Sequence, residues 1–513
     1  MCTLKRWRCD LATSPYNTQA DITDEPQPGI DLALPTSDIP ADVCNELVDL
    51  YFDLIHDKQH IIFHRHSFVQ EQRHGRAADF LVLGMVALMA RFSSHPFFAH
   101  IPPWNRASPW LQRAVQAFNT RRKLIDIPSL QGCILLAFVS FVEMNEDQDT
   151  LLSAQAVRMV QVLQLPITLS SDPIMREIEI RLFWQCWMMD TWHSVQAQLP
   201  AQLRANPQFK RPLEEATFSA MRISNPPDLS TGNRAVQLGL RECSLWSLVL
   251  PLTEIHGQIV LLNDQLAHHR LSRSDIRSEV AALSSRLDQW IVDLPDGLRD
   301  TKDNWRVQTE RGFHREFASM HMLYHHQSQL LYYQFLHKAV FSTKLEISGP
   351  DPEAFHYAAR CKTHATTLSQ IMWNTRSTSS TDTACLWSPL NGHLLVIATS
   401  IHLHSMLFDT DPTALEKARL IMEHNFIMLM QLQKYWPSLQ LSLSRVRAFH
   451  GACLMERTHK HFDMDHWMIT FLNRYKSTVP DRYAGFSNNM DVGQPIVGSP
   501  AANELWRKLF GRS

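Results

Sequence analysis

The sequence predicts an all-α fold, a large multi-helical domain behind a disordered N-terminal leader. Apolar residues recur at intervals of three and four along most of the 513 residues, and the alternation typical of strands is rare. Glycine contributes only 16 residues, about half its average frequency, which disfavours many tight β-turns and glycine-rich phosphate loops. Hydrophobic residues make up 45% of the chain, enough for a large core.

Residues 1–40 are expected to form the leader. They open with a small basic patch, MCTLKRWRCD, after which residues 11–40 contain five acidic residues, five prolines and no Lys or Arg. An acidic, proline-rich stretch without periodicity is typical of a solvated, disordered linker. Its spaced apolar residues leave a second interpretation open, an activation segment.

The helical domain is expected to span residues 41–475. Asp38 is positioned to cap its first helix, and Pro40 suits the first turn. Helical spacing predicts further helices at 78–92, 108–123, 129–144, 150–164, 174–196, 239–266, 274–292, 310–340, 352–373, 388–407, 412–435 and 440–474. Breaks are expected at 94–107, 200–230, 294–305, 343–351 and 374–387. Residues 476–513 are predicted to be a loop-like tail with a short C-terminal helix.

Net charge, cysteine content and the length of the apolar runs indicate which ligands and which compartment to expect for the protein. Lys and Arg number 49 and Asp and Glu 51, a net charge of −2, so no overall field attracts a polyanion. The nine cysteines are an odd number and mostly dispersed, which is typical of reduced thiols in the cytosol or nucleus. The longest apolar run, residues 80–90, is shorter than the roughly 20 residues that span a membrane. We therefore expect no membrane partner.

Motifs that carry enzyme chemistry are missing from the sequence. It contains no P-loop, GxGxxG, GxSxG, HExxH or DDxxD pattern. His321 and His325 share a helix face, and residues 459–466 contain metal-binding residue types, but neither set has the spacing of a defined metal site. We therefore assign no catalytic, cofactor-binding or metal-ligating residue. A structural role at a helix end is expected for four neighbouring histidines, His56, His60, His64 and His66.

Four short motifs follow one another along the helical domain. The first is an apolar helix with the pair Tyr51 and Phe52, followed by the pair Phe63 and His64. The second is a buried helix that ends in Ala-Arg-Phe-Ser and contains Arg91 and Phe92. The third is an amphipathic helix with an Ala-x-Arg-Met core that contains Arg158. The fourth, EIEIRLFWQCWMMD, contains Glu177, Arg181, Phe183, Trp184 and Asp190.

The order and spacing of these motifs resemble the regulatory domain of fungal-specific transcription factors, the middle homology region of the zinc-cluster family. The likeness extends from about residue 40 to about residue 450. Thr191 departs from the family pattern, in which Arg follows the aspartate. The family residues are expected to be structural: Phe183, Trp184 and Trp187 belong to the core, and Arg181 forms a buried ion pair with Glu177 or Asp190.

The resemblance implies a regulator of fungal metabolic or secondary-metabolite genes that acts in the nucleus. It also implies a DNA-binding module, most often a zinc cluster of six cysteines. Cys2 and Cys9 have the family's six-residue interval, with Lys5, Arg6 and Arg8 in the basic positions, but the other four cysteines are absent. Two thiolates cannot hold two zinc ions, since tetrahedral zinc needs four ligands. We therefore expect no zinc cofactor and only weak, salt-sensitive DNA contact.

The incomplete cluster leaves three explanations open. In the first, Cys2 and Cys9 are a degenerate remnant of a zinc cluster. In the second, the gene product is incomplete, and its natural form has the cluster and binds DNA directly. In the third, the two cysteines have this spacing by chance. We expect a co-regulator whose partners are other transcription regulators or its own copy, with a small-molecule effector in an interhelical pocket. The alternatives are an enzyme on the same scaffold, which a deep pocket with convergent ionisable groups would favour, and a dimerisation scaffold, which an exposed apolar patch would favour.

Overall fold

The structure is a computed structural model, and its described residues are 39–121, 124–197, 199–222, 244–336, 351–377, 388–459, 464–473, 478–480 and 482. Within these ranges all regular elements are helices, joined by turns and irregular segments, and isolated bridge positions occur only at His56, His60 and Arg222. The all-α prediction is therefore confirmed. The predicted leader, with its Asp38 cap, and the predicted C-terminal helix lie outside the described residues. The predicted domain limits at residues 40 and 475 stay predictions.

The first helices are α1 Ala41–Leu54, α2 Arg65–Arg73, α3 Asp79–Met89, α4 Ser108–Thr120, α5 Ile127–Val142, α6 Glu146–Val162, α7 Pro173–Ala197 and α8 Glu215–Ala220. Most of them begin within a few residues of the predicted start. The sequence patterns do not predict α2, which has no fully buried residue and no apolar stripe along its length. It also placed α8 in a break, although the Glu214 side chain caps this short helix by accepting from the Thr217 amide.

The remaining helices are α9 Leu245–Ala267, α10 Arg273–Asp293, α11 Lys302–Glu310, α12 His314–Tyr332, α13 Pro352–Ser377, α14 Leu390–Phe408, α15 Pro412–Gln433, α16 Leu439–His459 and α17 His466–Asn473. The predicted helix at 310–340 starts too early, because Gly312 turns the chain with a φ of +79°. The predicted break at 294–305 contains the start of α11, which Thr301 caps. The single helix predicted at 440–474 is in fact α16 and α17.

Two groups of packed helices meet at α7 and α9. In the first group α5 packs against α3, α6 and α7. In the second α12 packs against α9, α13 and α14. The contact between α7 and α9 joins the groups, so the face shared by α5, α7, α9, α12 and α14 lies at the junction. Helix α9 is long and apolar enough to cross a membrane, but 61% of its apolar window is buried, as in a core helix.

Two helical glycines provide a matched test of packing. A Cβ on Gly132 of α5 would lie 2.5 Å from the Phe80 ring of α3, whereas a Cβ on Gly257 of α9 would meet the Thr191 methyl at an ordinary 3.6 Å. Gly132→Ala should therefore destabilise the protein by about 1–3 kcal/mol through overpacking. Gly257→Ala should stabilise it by about 0.5–1 kcal/mol through helix propensity. Urea unfolding measures both, and equal effects of the two variants would contradict this packing.

Candidate functional site

A buried ion pair on α7 anchors the segment that leads into α8. Arg181 is fully buried, and its Nε donates to Glu177 Oε1 at 2.9 Å, one helical turn earlier. Its Nη2 donates to the Leu213 carbonyl at 2.7 Å, and the Leu213 amide donates to the same Glu177 oxygen at 2.8 Å. Burial raises the pKa of Glu177, and the Arg181 charge opposes that shift. The family motif thus holds α7 and the connection to α8 together.

The turn after α1 contacts this ion pair. Asp57 has a φ of +63°, and its Oδ1 lies 3.1 Å from His56 Nδ1 and 3.8 Å from Arg181 Nη1. Burial opposes ionisation of Asp57, but the charges of His56, Arg181 and Lys58 lower its pKa to about 2. Trp246 of α9 donates from Nε1 to the Asp57 carbonyl at 2.6 Å. The turn therefore connects α1 to both α7 and α9.

His56 and His60 stabilise the same turn through hydrogen bonds. His56 Nε2 accepts from the Phe63 amide at 3.1 Å, and His60 Nδ1 lies 3.1 Å from the Tyr51 hydroxyl. Burial lowers the pKa of His60 to about 3, so its ring is neutral. His64 caps α2 by accepting from the Ser67 amide, while His66 is exposed. The rings of Tyr51, Phe52 and Phe63 pack edge to face around this turn.

Arg91 and Phe92 tie the end of α3 to the distant connection between α15 and α16. The buried Arg91 donates to the Tyr435 carbonyl at 2.9 Å and pairs with Glu143 at 2.5 Å. Its guanidinium lies 4.5 Å from the Trp436 ring centroid. Phe92 stacks on Tyr435 with ring centroids 5.1 Å apart. These contacts join segments more than 340 residues apart in sequence.

The remaining motif residues pack or face solvent. Phe183 and Trp184 are each 3% exposed, and Trp184 Nε1 donates to the Lys210 carbonyl at 2.8 Å. Of the two partners expected for Arg181, Glu177 and Asp190, only Glu177 pairs with it. Asp190 Oδ2 instead accepts the amides of Gln202 and Leu203 at 2.6 and 2.7 Å, which fastens the chain after α7. Arg158 is exposed and donates to Gln161 at 3.1 Å.

A cavity of about 180 Å³ lies at the junction of the two helix groups. The turn after α1 and helices α5, α6, α7, α9, α12 and α14 form its wall. Large apolar and aromatic side chains dominate the lining, among them Phe138, Phe141, Met188, Trp192, Trp246 and Leu323. A cavity of roughly 150 Å³ holds a benzene-sized molecule, so this one has room for one ring with a short chain.

The ionisable groups at the cavity wall have partners within the protein. Lys58 Nζ lies 3.1 Å from Glu316 Oε1, and His193 Nε2 lies 3.8 Å from Asp149 Oδ1. Burial raises the pKa of Glu316, and the Lys58 charge opposes that shift. No sequence pattern pointed to Lys58 or Glu316, because they lie more than 250 residues apart and meet only in the fold. The arrangement suits binding of a ligand better than proton transfer by an unpaired acid or base.

Among the described residues, no three His, Cys, Asp or Glu side chains are grouped to hold a metal ion. His321 Nε2 lies 3.0 Å from the Leu298 carbonyl, and His325 Nδ1 lies 2.8 Å from His364 Nδ1. Part of the motif at 459–466 lies outside the described residues. The possible zinc ligands and DNA contacts of the leader also lie outside them: Cys2, Lys5, Arg6, Arg8 and Cys9. No described cysteine forms a disulfide.

Comparison with known proteins finds one family model that matches part of this helical body. The family model described as the fungal specific transcription factor domain matches residues 48–291. This part of the chain is therefore similar to that domain. It extends from within α1 to the end of α10, so α12 and α14 close the cavity from outside the matched range.

The relatives that the chain resembles are named as a transcription factor or a transcriptional regulatory protein. The Zn(2)-C6 fungal-type transcription factor FTF1c of Fusarium oxysporum f. sp. lycopersici is 22% identical over 81% of this chain and 46% of its own length. An uncharacterised transcriptional regulatory protein of Schizosaccharomyces pombe is 20% identical over 81% of this chain and 53% of its own length. The chain thus spans about half the length of these relatives. No solved structure matches it. The family and the names are those of transcription factors, in agreement with the prediction that the chain is not an enzyme.

Proposed function

We propose that the chain regulates transcription of fungal metabolic or secondary-metabolite genes in the nucleus. The observation that carries this proposal is the match of residues 48–291 to the fungal specific transcription factor domain. The names of the relatives in Fusarium oxysporum and Schizosaccharomyces pombe support the same activity. The target genes are inferred from the family resemblance alone.

The chain acts, in this proposal, through another DNA-bound regulator or a second copy of itself. Cys2 and Cys9 supply only two of the thiolates that a six-cysteine zinc cluster needs. The net charge of −2 gives no overall attraction to DNA, and the basic patch offers only Lys5, Arg6 and Arg8. The proposed co-regulator role therefore concerns what these 513 residues do, which is to act on a promoter through a partner.

The cavity is the proposed effector site of this regulator. Its wall combines α5, α7 and α9 of the matched domain with α12 and α14, which follow it. A ligand that contacts both groups of helices favours the arrangement in which they are closed around it. Such differential affinity for two states is what an effector needs in order to change a regulator's activity.

A reporter assay tests the proposed activity. The chain is fused to an unrelated DNA-binding domain and directed to a reporter promoter in a fungal host, with the unfused chain as control. We expect the fusion to change reporter transcription at least about fivefold in one direction, since a coupling of about 1 kcal/mol already gives that factor. Imaging of the tagged chain should place it in the nucleus.

A cavity variant separates effector control from the basal effect on transcription. Ser319 of α12 lines the cavity and is only partly buried, so Ser319→Trp fills the space with little new packing strain. The variant fusion should still act on the promoter but lose its response to growth conditions that alter the parent fusion. No reporter change by either fusion, with both proteins present in the nucleus, would contradict the proposed function.

A further inference from the structure

The charged groups at the cavity wall are predominantly acidic. Asp57, Asp149 and Glu316 line the cavity, and the basic residue types that line it with them are Lys58 and the two histidines His60 and His193. Lys58 is paired with Glu316 at 3.1 Å. Arg181 approaches Asp57 from behind the wall at 3.8 Å, but its Nε is already engaged by Glu177. An excess of carboxylates inside a low-dielectric site favours a cation and opposes an anion.

Two cavity side chains also keep unused hydrogen-bond acceptors. Gln185 and Glu316 are each 5% exposed, and in the described structure Gln185 Oε1 and Glu316 Oε2 have no hydrogen-bond partner. A buried acceptor without a donor is unfavourable. Both oxygens are covered by neighbouring atoms, so a ligand N–H group reaches them after the side chain rotates towards the cavity, and the new hydrogen bond removes that penalty. The Gln185 and Glu316 oxygens therefore give the cavity a preference for ligands with hydrogen-bond donors, in addition to its preference for positive charge.

Aromatic rings complete the lining around these acceptors. Trp192 and Trp246 line the cavity together with Phe138 and Phe141. The ring faces of tryptophan and phenylalanine attract ammonium groups, and the attraction grows when water is excluded. Aromatic rings and carboxylates on one wall are the combination that recognises organic cations.

We propose that the cavity binds a protonated amine on a compact apolar body of about one ring. The apolar part fills the space among the methionine and aromatic side chains, and the ammonium group donates to Gln185 and Glu316. Organic acids and phosphates are excluded by the same carboxylates. This inference rests on the proposed function, because it names the chemical class of that regulator's effector.

Calorimetric titration of the purified chain with three probes of one shape tests this proposal. The probes are 2-phenylethylamine, 2-phenylethanol and phenylacetate, which share a ring and differ in charge. We expect the amine to bind about tenfold more tightly than the alcohol, since one favourable charge contact is easily worth that factor. Phenylacetate should show no binding. Equal or tighter binding of phenylacetate, or no binding of any probe at millimolar concentration, would overturn the proposal.

Three variants locate the binding. Glu316→Gln should weaken the amine about tenfold and leave the alcohol unchanged, because it removes the charge and keeps the shape. Gln185→Leu removes an acceptor without changing charge and should weaken both. Glu254→Gln, at an exposed carboxylate of α9 that is not among the cavity-lining residues, is the matched control and should change neither. Retained alcohol binding by Glu316→Gln also shows that this variant is folded.

The outcome separates the ligand class from the proposed function. Amine binding to the purified chain without any reporter change in the fusion assay would uphold the ligand class and contradict the regulatory role. A reporter response together with tighter binding of phenylacetate would uphold the regulatory role and overturn the amine assignment.

Discussion

Replacing Arg181 with methionine is expected to lower the free energy of unfolding by about 3–5 kcal/mol, because the change leaves the Glu177 carboxylate buried without its partner. It also removes the hydrogen bond to the Leu213 carbonyl and the positive charge beside Asp57. Urea unfolding followed by circular dichroism measures the loss. A decrease of that size is a large part of the stability of a typical domain.

Two further variants make this test specific. Arg158→Met changes the same residue type at an exposed position and should alter stability by less than about 0.5 kcal/mol. The double variant Arg181→Met with Glu177→Leu removes both charges and should recover much of the loss, since an apolar pair of similar volume can replace a buried ion pair. If the single variant Arg181→Met is as stable as the parent chain, the ion pair with Glu177 does not contribute the expected free energy of unfolding.

Mild acid is expected to unfold the chain, because many of its histidines are buried in the neutral form. Burial is the first cause in each case: it lowers the pKa of His256 and His402 to about 4 and that of His326 and His404 to about 3. The unfolded chain, with histidine pKa values near 6.5, therefore binds more protons than the folded chain. Stability is complete above about pH 6.5 and falls as the pH drops towards 4.

The size of the acid effect follows from these pKa values. At pH 5.5 each of the four histidines reduces the free energy of unfolding by about 1.4 kcal/mol, and together they reduce it by about 5–6 kcal/mol. Urea midpoints measured between pH 7.5 and pH 5 should therefore fall steeply below pH 6.5. Stability that stays flat over this range would contradict the burial of neutral histidines.

A single substitution tests the source of the acid sensitivity. Neither ring nitrogen of His326 has a hydrogen-bond partner in the described structure, so His326→Leu removes a titrating group without breaking a bond. The variant should lose less stability between pH 7 and pH 5.5 than the parent chain, by about 1 kcal/mol. His100→Leu, at an exposed position, is the control and should follow the parent curve.

Local sequence patterns were sufficient for most helices and for one family contact. The apolar stretches of α3, α5 and α14 exceed what a surface helix carries, so their burial follows from composition. Glu177 and Arg181 stand four residues apart on one helix, and that spacing alone brings their side chains together. Helix α2 is not predicted by local patterns because Phe68 and Val69 are its only apolar residues and do not repeat at helical spacing.

Contacts between distant segments were beyond the reach of local patterns. The partners of Asp190 lie in the chain after α7, so no spacing within α7 predicts them. Arg91 meets Tyr435 only because the end of α3 packs on the connection between α15 and α16. The cavity has the same origin, since its wall combines residues near position 57 with residues near positions 185, 316 and 394.

The most direct test of the central claim is binding of the purified chain to genomic DNA fragments at fixed salt, with zinc content measured on the same sample. A regulator that acts through a DNA-bound partner should bind without sequence selectivity, weaken steeply as salt rises, and contain no stoichiometric zinc. Selective binding together with two zinc ions per chain would contradict the account and make the protein a factor that reads DNA directly.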